Sequence, residues 1–348
     1  MTTRFGNLCH VAIGLTALSA AMTYPAHAEK AEACDRACLT SYVDRYLSAL
    51  EKRDPNFLPL ADDVKFTENG VELELGDAAW GTVTSAGSYR VIAADPERGE
   101  VAFIGTMVEN RDRHAIMALR LKVAAGKISE IETVWGRTIE GAQALNGLGK
   151  PHAAFTTPVN ENKRHSREEL VAIANKYFTG LEDNDGHREV PFTETCNRLE
   201  NGRQTTNSKA PPRDPSQPNT MALGCDAQLR SGRFRLDTDI RERRFRVVDQ
   251  ERGLVFAFVF FDHAGTVFEY PLTTGEMIST NLRQPHTWQI AEIFKVQDGK
   301  IDQIEAVLNE VPYGMKSGWN DCSGVFPRPC TEPGAPQRKT RVGLDYSD

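Results

Sequence analysis

The sequence predicts an α+β protein made of two tandem cone-shaped domains. Residues 122–134 read KVAAGKISEIETV and residues 295–307 read KVQDGKIDQIEAV, with eight of these thirteen positions identical. Three further matches recur in the same order: YLSALE with YFTGLE, TENG with LENG, and ADPERGEVAF with VDQERGLVFAF. Ordered matches indicate a duplication. In each copy, helices followed by strands indicate a curved, mostly antiparallel sheet wrapped around N-terminal helices.

Each copy is predicted to begin with an amphipathic helix. Apolar side chains recur at helical spacing in residues 35–53, and the second copy restarts with a helix at residues 167–182. The first copy then becomes β-rich up to residue 135, and the second copy does so from residue 245 to residue 311.

The domain boundaries follow from these elements. We predict a signal peptide at residues 1–28, a first, degenerate domain at 29–137, a linker at 138–165, a second domain with the pocket at 166–320, and an irregular Pro-rich tail at 321–348. The second copy is longer because it contains two polar insertions, and insertions of this kind often act as lids or binding loops. They cover residues 205–224 and 270–285.

The N-terminus has the pattern of a secretory signal peptide. Arg4 supplies a positive charge, residues 8–22 are mostly apolar or small, and Ala26-His27-Ala28 matches a cleavage site. Cleavage leaves 40 Lys+Arg against 48 Asp+Glu. We therefore expect a periplasmic or secreted protein, and its acidic charge favours neither nucleic acid nor a membrane as partner.

Six cysteines remain after cleavage, and an even number in an exported protein suits disulfides. Cys196–Cys225 and Cys322–Cys330 are the pairs we predict, since each would close a polar, irregular segment; six cysteines allow about 15 connectivities. No cysteine or histidine pair has the spacing of a zinc site, so no metal is expected. No phosphate loop or nucleotide fingerprint is present, so no cofactor is expected.

The segment ADDVKFTENG after a long first helix, together with the closing GKI-x-x-I-E hairpin, resembles the nuclear-transport-factor-two-like superfamily, SnoaL-like group. The resemblance covers residues 34–135 and 167–319. It implies cofactor-free acid–base chemistry in an apolar pocket at the open end of the cone, as in the ketosteroid isomerases and dehydratases of this superfamily. Members commonly dimerise through the outer sheet face, so the tandem chain would be a covalent version of such a dimer. A further homodimer remains open.

One position distinguishes the two copies. In the first copy one face of a strand is entirely apolar: Ala115, Met117, Leu119, Leu121 and Val123. The aligned residues of the second copy are Trp288, Ile290, Glu292, Phe294 and Val296. Burial on that face would raise the pKa of Glu292 and make it a usable base or acid near neutral pH. The alternatives are an ion pair with an arginine of residues 241–246, or exposure to solvent if the strand register differs by one.

Other candidates surround Glu292 in this interpretation. His286 has the same parity at the mouth of the cone, and Tyr313 could donate to an oxyanion. His263 is a second-rank candidate, with a turn position as its alternative. The predicted substrate-binding residues are apolar or aromatic: Trp288, Ile290, Phe258, Phe260 and Trp319. Core packing is the alternative for the phenylalanines, and packing of the tail is the alternative for Tyr313 and Trp319.

These residues favour a cofactor-independent lyase or isomerase that performs dehydration or retro-aldol elimination on a small aromatic or polycyclic substrate. Glu292 would be the base, and His286 and Tyr313 would stabilise the anion or protonate the leaving group. A non-catalytic periplasmic ligand-binding or scaffold protein is the first alternative. A polysaccharide-active lyase is the second, and it would need an open groove lined by Arg, Lys and Tyr.

Overall fold

The structure, a computed structural model, describes residues 1–2, 34–137, 145, 148–212 and 214–319. Three predicted features lie outside these residues: the signal peptide beyond residue 2, the tail from residue 321, and the Cys322–Cys330 pair.

The N-terminal repeat, residues 36–136, begins with a helix whose first turn is capped by the Asp35 side chain, which accepts from the backbone N–H of Cys38. A short 3₁₀ helix follows at Pro55–Phe57. The main elements are α1 (Arg36–Lys52), β1 (Leu60–Glu68), β2 (Val71–Glu72), α2 (Ala79–Thr82), β3 (Val83–Asp95), β4 (Glu100–Glu109), β5 (Arg113–Ala124) and β6 (Lys127–Gly136).

The C-terminal repeat, residues 167–311, repeats this order of elements. Ser166 and Glu169 form a capping box at its first helix, so the helix begins at the residue that the sequence predicts. The elements are α3 (Arg167–Glu182), β7 (Phe192–Glu200), β8 (Arg203–Gln204), α4 (Cys225–Arg230), β9 (Asp239–Asp249), β10 (Leu254–His263), β11 (Glu269–Pro271), β12 (Met277–Ser279), β13 (His286–Gln297) and β14 (Lys300–Val311). Short 3₁₀ helices lie at Ala153–Phe155, Glu161–Lys163, Thr220–Ala222 and Arg233–Leu236.

Each repeat contains one six-stranded sheet, and the two sheets have the same topology. The strand orders are β2-β1-β6-β5-β4-β3 and β8-β7-β14-β13-β10-β9. Pairing is antiparallel except for β1 with β6 and β7 with β14. The α+β class is therefore confirmed. The hairpin β11–β12, which has no counterpart in the N-terminal repeat, begins one residue before the second predicted insertion and lies otherwise within it.

The two sheets differ in what covers each face. On the inner face of each sheet the N-terminal helix of that repeat packs into an apolar core, α1 in one and α3 in the other. The outer faces form a single third core that contains residues of both repeats, including Val91 and Ile104 from one and Phe256 and Ile293 from the other. Phe155 of the linker is buried in this third core. The outer faces of the two sheets are therefore buried against each other.

Reciprocal ion pairs join the repeats at the starts of their helices. Arg36 Nη1 of α1 donates to Asp249 Oδ2 at 2.7 Å, and the aligned Arg167 Nη1 of α3 donates to Asp95 Oδ2 at 2.8 Å. The same carboxylates accept from backbone N–H groups of the opposite repeat, Asp249 from Ala94 and Asp95 from Val248. Each repeat thus binds the other with the same residues, as the halves of a two-fold symmetric dimer do.

The arginine run of β9 also pairs with the N-terminal repeat. Arg244 bonds Glu132, and Arg246 bonds Glu100 at 2.9 Å. Arg120, which is fully buried, contacts both of these glutamates. Arg244 and Arg246 therefore stabilise the contact between the sheets. Neither is the ion-pair partner that the sequence allowed for Glu292.

Two disulfides lie within the described residues. Cys196–Cys225 is confirmed and ties the start of α4 to β7. Cys34–Cys38, which the sequence did not suggest, lies at the start of α1. Disulfides are compatible with an oxidising compartment. No helix in the described part of the chain is long and apolar enough to cross a membrane.

We expect Arg167→Met to lower the free energy of unfolding by about 3–5 kcal/mol, because it leaves the carboxylate of Asp95 buried and unpaired. The two side chains are 8% and 1% exposed. Urea unfolding at pH 7, followed by circular dichroism, measures the change. Arg90→Met is the control, since its pair with Asp44 is largely exposed and contributes at most about 1 kcal/mol. Equal losses in both variants would contradict the role of the reciprocal pairs.

Replacing both Cys196 and Cys225 by alanine should cost about 3–4 kcal/mol, because the disulfide restricts a long loop in the unfolded chain. The two cysteines are 29 residues apart, whereas Cys34 and Cys38 are 4 apart. Alanine at both of the latter positions should cost about 2 kcal/mol by the same relation. Thermal unfolding of the two double variants tests the order, and a reversed order would show that loop length does not govern it.

Candidate functional site

One row of side chains across the inner face differs between the repeats: its central residue is a leucine in the N-terminal repeat and a glutamate in the C-terminal repeat. Strand pairing places three residues side by side in the N-terminal repeat: Phe103, Leu119 and Thr133. The corresponding row of the C-terminal repeat is Ala257, Glu292 and Ala306. Two larger neighbours have become alanine beside the new carboxyl group. The row therefore provides room for polar groups that the first repeat fills with hydrocarbon.

Glu292 lies inside the C-terminal repeat, as its strand parity predicts. It is 2% exposed and shares the inner face of β13 with Ile290 and Phe294. Burial raises the pKa of Glu292 to about 8, although the positive charge of Arg198 and a hydrogen bond with Tyr177 oppose the shift. Its Oε2 atom has no hydrogen-bond partner among the described residues. Glu292 is therefore mostly protonated at neutral pH, and its Oε2 atom is free to bond a ligand.

Arg198 connects the polar groups next to Glu292. It is 4% exposed, and its Nη1 donates to the Tyr177 hydroxyl at 3.0 Å and its Nη2 to Gln228 Oε1 at 2.8 Å. Its Nε donates to Thr205 at 3.0 Å. Burial raises the pKa of Tyr177 well above its ordinary value, so its hydroxyl keeps its proton. We call Glu292, Tyr177, Arg198 and Gln228 the carboxyl site.

A small cavity borders the carboxyl site. Its free volume is about 10 Å³, which is room for about one water molecule. Its polar wall includes Arg198, Tyr177 and Gln228, and its apolar wall includes Phe192 and Phe234. This cavity is therefore too small to hold an aromatic molecule as it stands.

The two predicted histidines lie together, but away from Glu292. His263 and His286 are directly opposite on β10 and β13, with stacked rings whose centroids are 4.7 Å apart. Burial and His286 lower the pKa of His263 to about 4. His286 and Glu292 are six positions apart on β13, a distance of about 20 Å along an extended strand. The predicted acid–base pair of Glu292 and His286 is therefore wrong: the two share a face but cannot reach one reacting group.

Phe258 and Phe260 do not face the carboxyl site. They pair with Ala291 and Gln289, the residues of β13 that point away from Glu292. Phe258 belongs to the core between the two sheets, and Arg241 lies over the ring of Phe260. Their prediction as substrate-binding residues is corrected, because both side chains are buried on the face of β10 that points away from Glu292.

Tyr313 and Trp319 also lie elsewhere. Tyr313 follows the end of β14, where Val311 pairs with Thr287, beside the histidines rather than beside Glu292. Trp319 packs on the N-terminal repeat: its indole Nε1 donates to Thr67 at 3.0 Å, and Arg120 lies over its ring at 4.7 Å. Neither residue closes over the carboxyl site. Of the predicted substrate-binding residues, Ile290 and the partly exposed Trp288 do share its face.

Three residues of the carboxyl site were not predicted from the sequence: Tyr177, Arg198 and Gln228. A signal existed for Arg198, since the TENG and LENG matches align it with Phe66, a core residue of the N-terminal repeat. Tyr177 aligns with Tyr46, which meets Trp80 of α2 at 5.5 Å between ring centroids. The polar partners in the second repeat thus replace aromatic ones in the first.

Metal ligands are not grouped in the described ranges: no set of three or more His, Cys, Asp or Glu side chains there could hold a metal ion. The carboxyl site offers a single carboxyl group, an amide, a phenol and a guanidinium. This donor set suits hydrogen bonding and proton transfer.

The pH dependence of stability should report the burial of Glu292. The folded protein holds this proton up to about pH 8, whereas the unfolded chain loses it near pH 4.5. Relative to Glu292→Gln, the wild-type free energy of unfolding should therefore fall by about 1.4 kcal/mol per pH unit between these values. Urea unfolding of both proteins at pH 4.5, 6 and 8 measures the difference. A constant difference would mean that the carboxyl group is solvated.

Comparisons with known proteins place both repeats in one family. No curated protein matches the chain. Among solved structures it is similar to an LEH-like epoxide hydrolase of M. tuberculosis, at 14% identity and a TM-score of 0.22, over 31% of this chain and 92% of that one. A TM-score this low supports no conclusion about fold or function. The family model described as "Domain of unknown function (DUF8021)" matches residues 32–135 and 163–308, one segment in each repeat. These segments cover well over half of the sequence, and the chain belongs to the DUF8021 family.

Proposed function

We propose that the C-terminal repeat is the catalytic half of a cofactor-independent lyase or isomerase, with Glu292 as the group that transfers protons. The observation that carries this proposal is a buried carboxyl group with a pKa of about 8 and one bare oxygen. A group with a pKa near the working pH is an efficient acid or base. The N-terminal repeat has hydrocarbon at this position, so the carboxyl group is not required by the fold itself.

The chemistry would be the removal of a proton from a carbon or hydroxyl group made acidic by an adjacent carbonyl or phenol. Ionised Glu292 accepts that proton. The electron pair left on the substrate moves onto an oxygen, where the Tyr177 hydroxyl and the Arg198 guanidinium offer hydrogen bonds. Returning the proton to another carbon completes an isomerisation. Giving it to a leaving hydroxyl group, as the enolate re-forms its carbonyl and the carbon–oxygen bond breaks, completes a dehydration. In a retro-aldol cleavage the proton comes from the hydroxyl group, the carbon–carbon bond breaks as that oxygen becomes a carbonyl, and the released enolate takes the proton on carbon.

Entry of a substrate requires movement. An aromatic or polycyclic molecule is far larger than a cavity of about 10 Å³. The wall formed by Gln228, Leu229 and Phe234 belongs to the segment between β8 and β9, which carries α4. The disulfide Cys196–Cys225 holds the first residue of this helix. The wall beyond α4, around Phe234, is therefore the part we expect to move outward.

A non-catalytic ligand-binding or scaffold protein is the second candidate. The small cavity and the well-bonded Arg198 favour it, because a buried, satisfied polar network also serves to specify a fold. A polysaccharide lyase is the third candidate, and the small cavity beside Arg198, with Phe192 and Phe234 in its wall, supports it less than a small apolar ligand. We further propose export to the periplasm or the medium, supported by the two disulfides, and a small molecule as partner.

Glu292→Gln should lower kcat by about 10²–10⁴-fold, because the amide cannot accept a proton. Residues 29–348, purified, are incubated with aryl ketones, aryl aldols and steroid enones, and products are measured by chromatography. Glu305→Gln is the matched control: Glu305 is also buried, and its pKa is also raised, to about 7, but it lies on the outer face, bonded to Tyr89. It should keep wild-type turnover.

Equal turnover by wild type and Glu292→Gln would exclude Glu292 as the base. A protein that binds these compounds with the same affinity in both forms and converts none of them would favour the ligand-binding candidate.

A further inference from the structure

Two arginines, the buried Arg198 and the partly buried Arg233, contact the same residue of the cavity wall. The guanidinium carbons of Arg198 and Arg233 are 4.9 and 5.3 Å from the centre of the Phe234 ring, which forms part of the cavity wall. Arg233 Nη1 donates to Thr220 at 2.8 Å, and its Nε has no partner among the described residues. Burial and the charge of Arg198 lower the pKa of Arg233. The two cations therefore repel each other in a poorly solvated place.

The carboxyl groups around these arginines do not balance them. Glu200 pairs with Arg198 at 3.3 Å, but its side chain is 35% exposed and partly screened by solvent. Burial raises the pKa of Asp237 to about 8, as it does for Glu292. At neutral pH both groups are mainly protonated. The positive charges of Arg198 and Arg233 are thus opposed by one negative charge, that of Glu200. The site therefore has an excess positive charge, although the whole chain is acidic.

We propose that the cavity beside Arg198 binds the carboxylate of a small organic acid, so that the substrate of the C-terminal repeat is an anion. A planar carboxylate matches the two-pronged donor geometry of a guanidinium. The Tyr177 hydroxyl and the side chains of Thr206 and Gln228 line the same cavity, and Phe192 and Phe234 offer contact to an apolar body. In a poorly solvated site such charge-assisted bonds are strong.

This inference names the substrate class of the proposed enzyme, but its test needs no turnover. Binding of benzoate and of benzamide to residues 29–348 is compared by calorimetry at pH 6.5. The two probes have the same shape and differ in charge. Benzoate should bind at least about tenfold more tightly, the size of effect expected for charge-assisted hydrogen bonds. Arg198→Gln should abolish this preference.

Arg198→Gln removes a buried side chain that donates three hydrogen bonds, so this variant could unfold the repeat. Two milder variants therefore test the inference without it. Arg233→Gln should weaken benzoate binding. Glu200→Gln should strengthen it, since it removes the opposing negative charge, and damage to the fold cannot produce tighter binding. Arg113→Gln is the control, because this arginine is 76% exposed in the other repeat. It should leave benzoate affinity unchanged.

Affinity for benzoate should also decline as pH rises through about 8, when Asp237 and Glu292 ionise. Asp237→Asn should reduce that decline. The inference is overturned if benzamide binds as tightly as benzoate, if neither probe binds, or if Glu200→Gln fails to tighten binding. Loss of turnover in Glu292→Gln together with equal binding of the two probes would reject the anionic substrate and keep the proposed function. A preference for benzoate with unaltered turnover in Glu292→Gln would do the opposite.

Discussion

The reciprocal pairing of Arg36 with Asp249 and of Arg167 with Asp95 is the constraint on which the rest of the structure depends. Each arginine begins a helix, and each aspartate lies at the end of a strand in the other repeat. The pairs therefore fix both helices relative to both sheets. Between them the outer faces meet in an apolar core, so neither repeat has a complete interior without its partner. The inner faces remain, and there the repeats have diverged.

Much of this arrangement could be predicted from the sequence. The internal matches predicted two equivalent repeats, and helical spacing predicted α1 and α3, the latter at its observed bounds, because capping residues and apolar periodicity agree there. Alternation along β13 placed Glu292 on the correct face. The small hairpin β11–β12 was missed, since its strands are three residues long and its sequence reads as a polar loop.

The composition of the candidate site was less predictable, for a physical reason. Alternation reveals a face only where one side of a strand is polar. Every residue of β10 is buried, because one face of the strand contacts a helix and the other contacts the N-terminal repeat, so its phenylalanines carried no information on direction. Arg198 and Gln228 come from β7 and α4. The pairing of β7 with β14 and the packing of α4 bring them to Tyr177 and Glu292. Contacts between distant segments of this kind are not encoded in local periodicity.

The fusion of two repeats in one chain has a consequence for how such an interior can evolve. In an assembly of two identical subunits, any mutation appears in both, so a carboxyl group buried in an oily core imposes its desolvation cost twice. A single gene that encodes both halves can place the change in one of them. The half that keeps Phe103, Leu119 and Phe66 then acts as a built-in stabiliser for the half that carries Ala257, Glu292 and Arg198. Asymmetry of this sort is open to a tandem chain and closed to a homodimer.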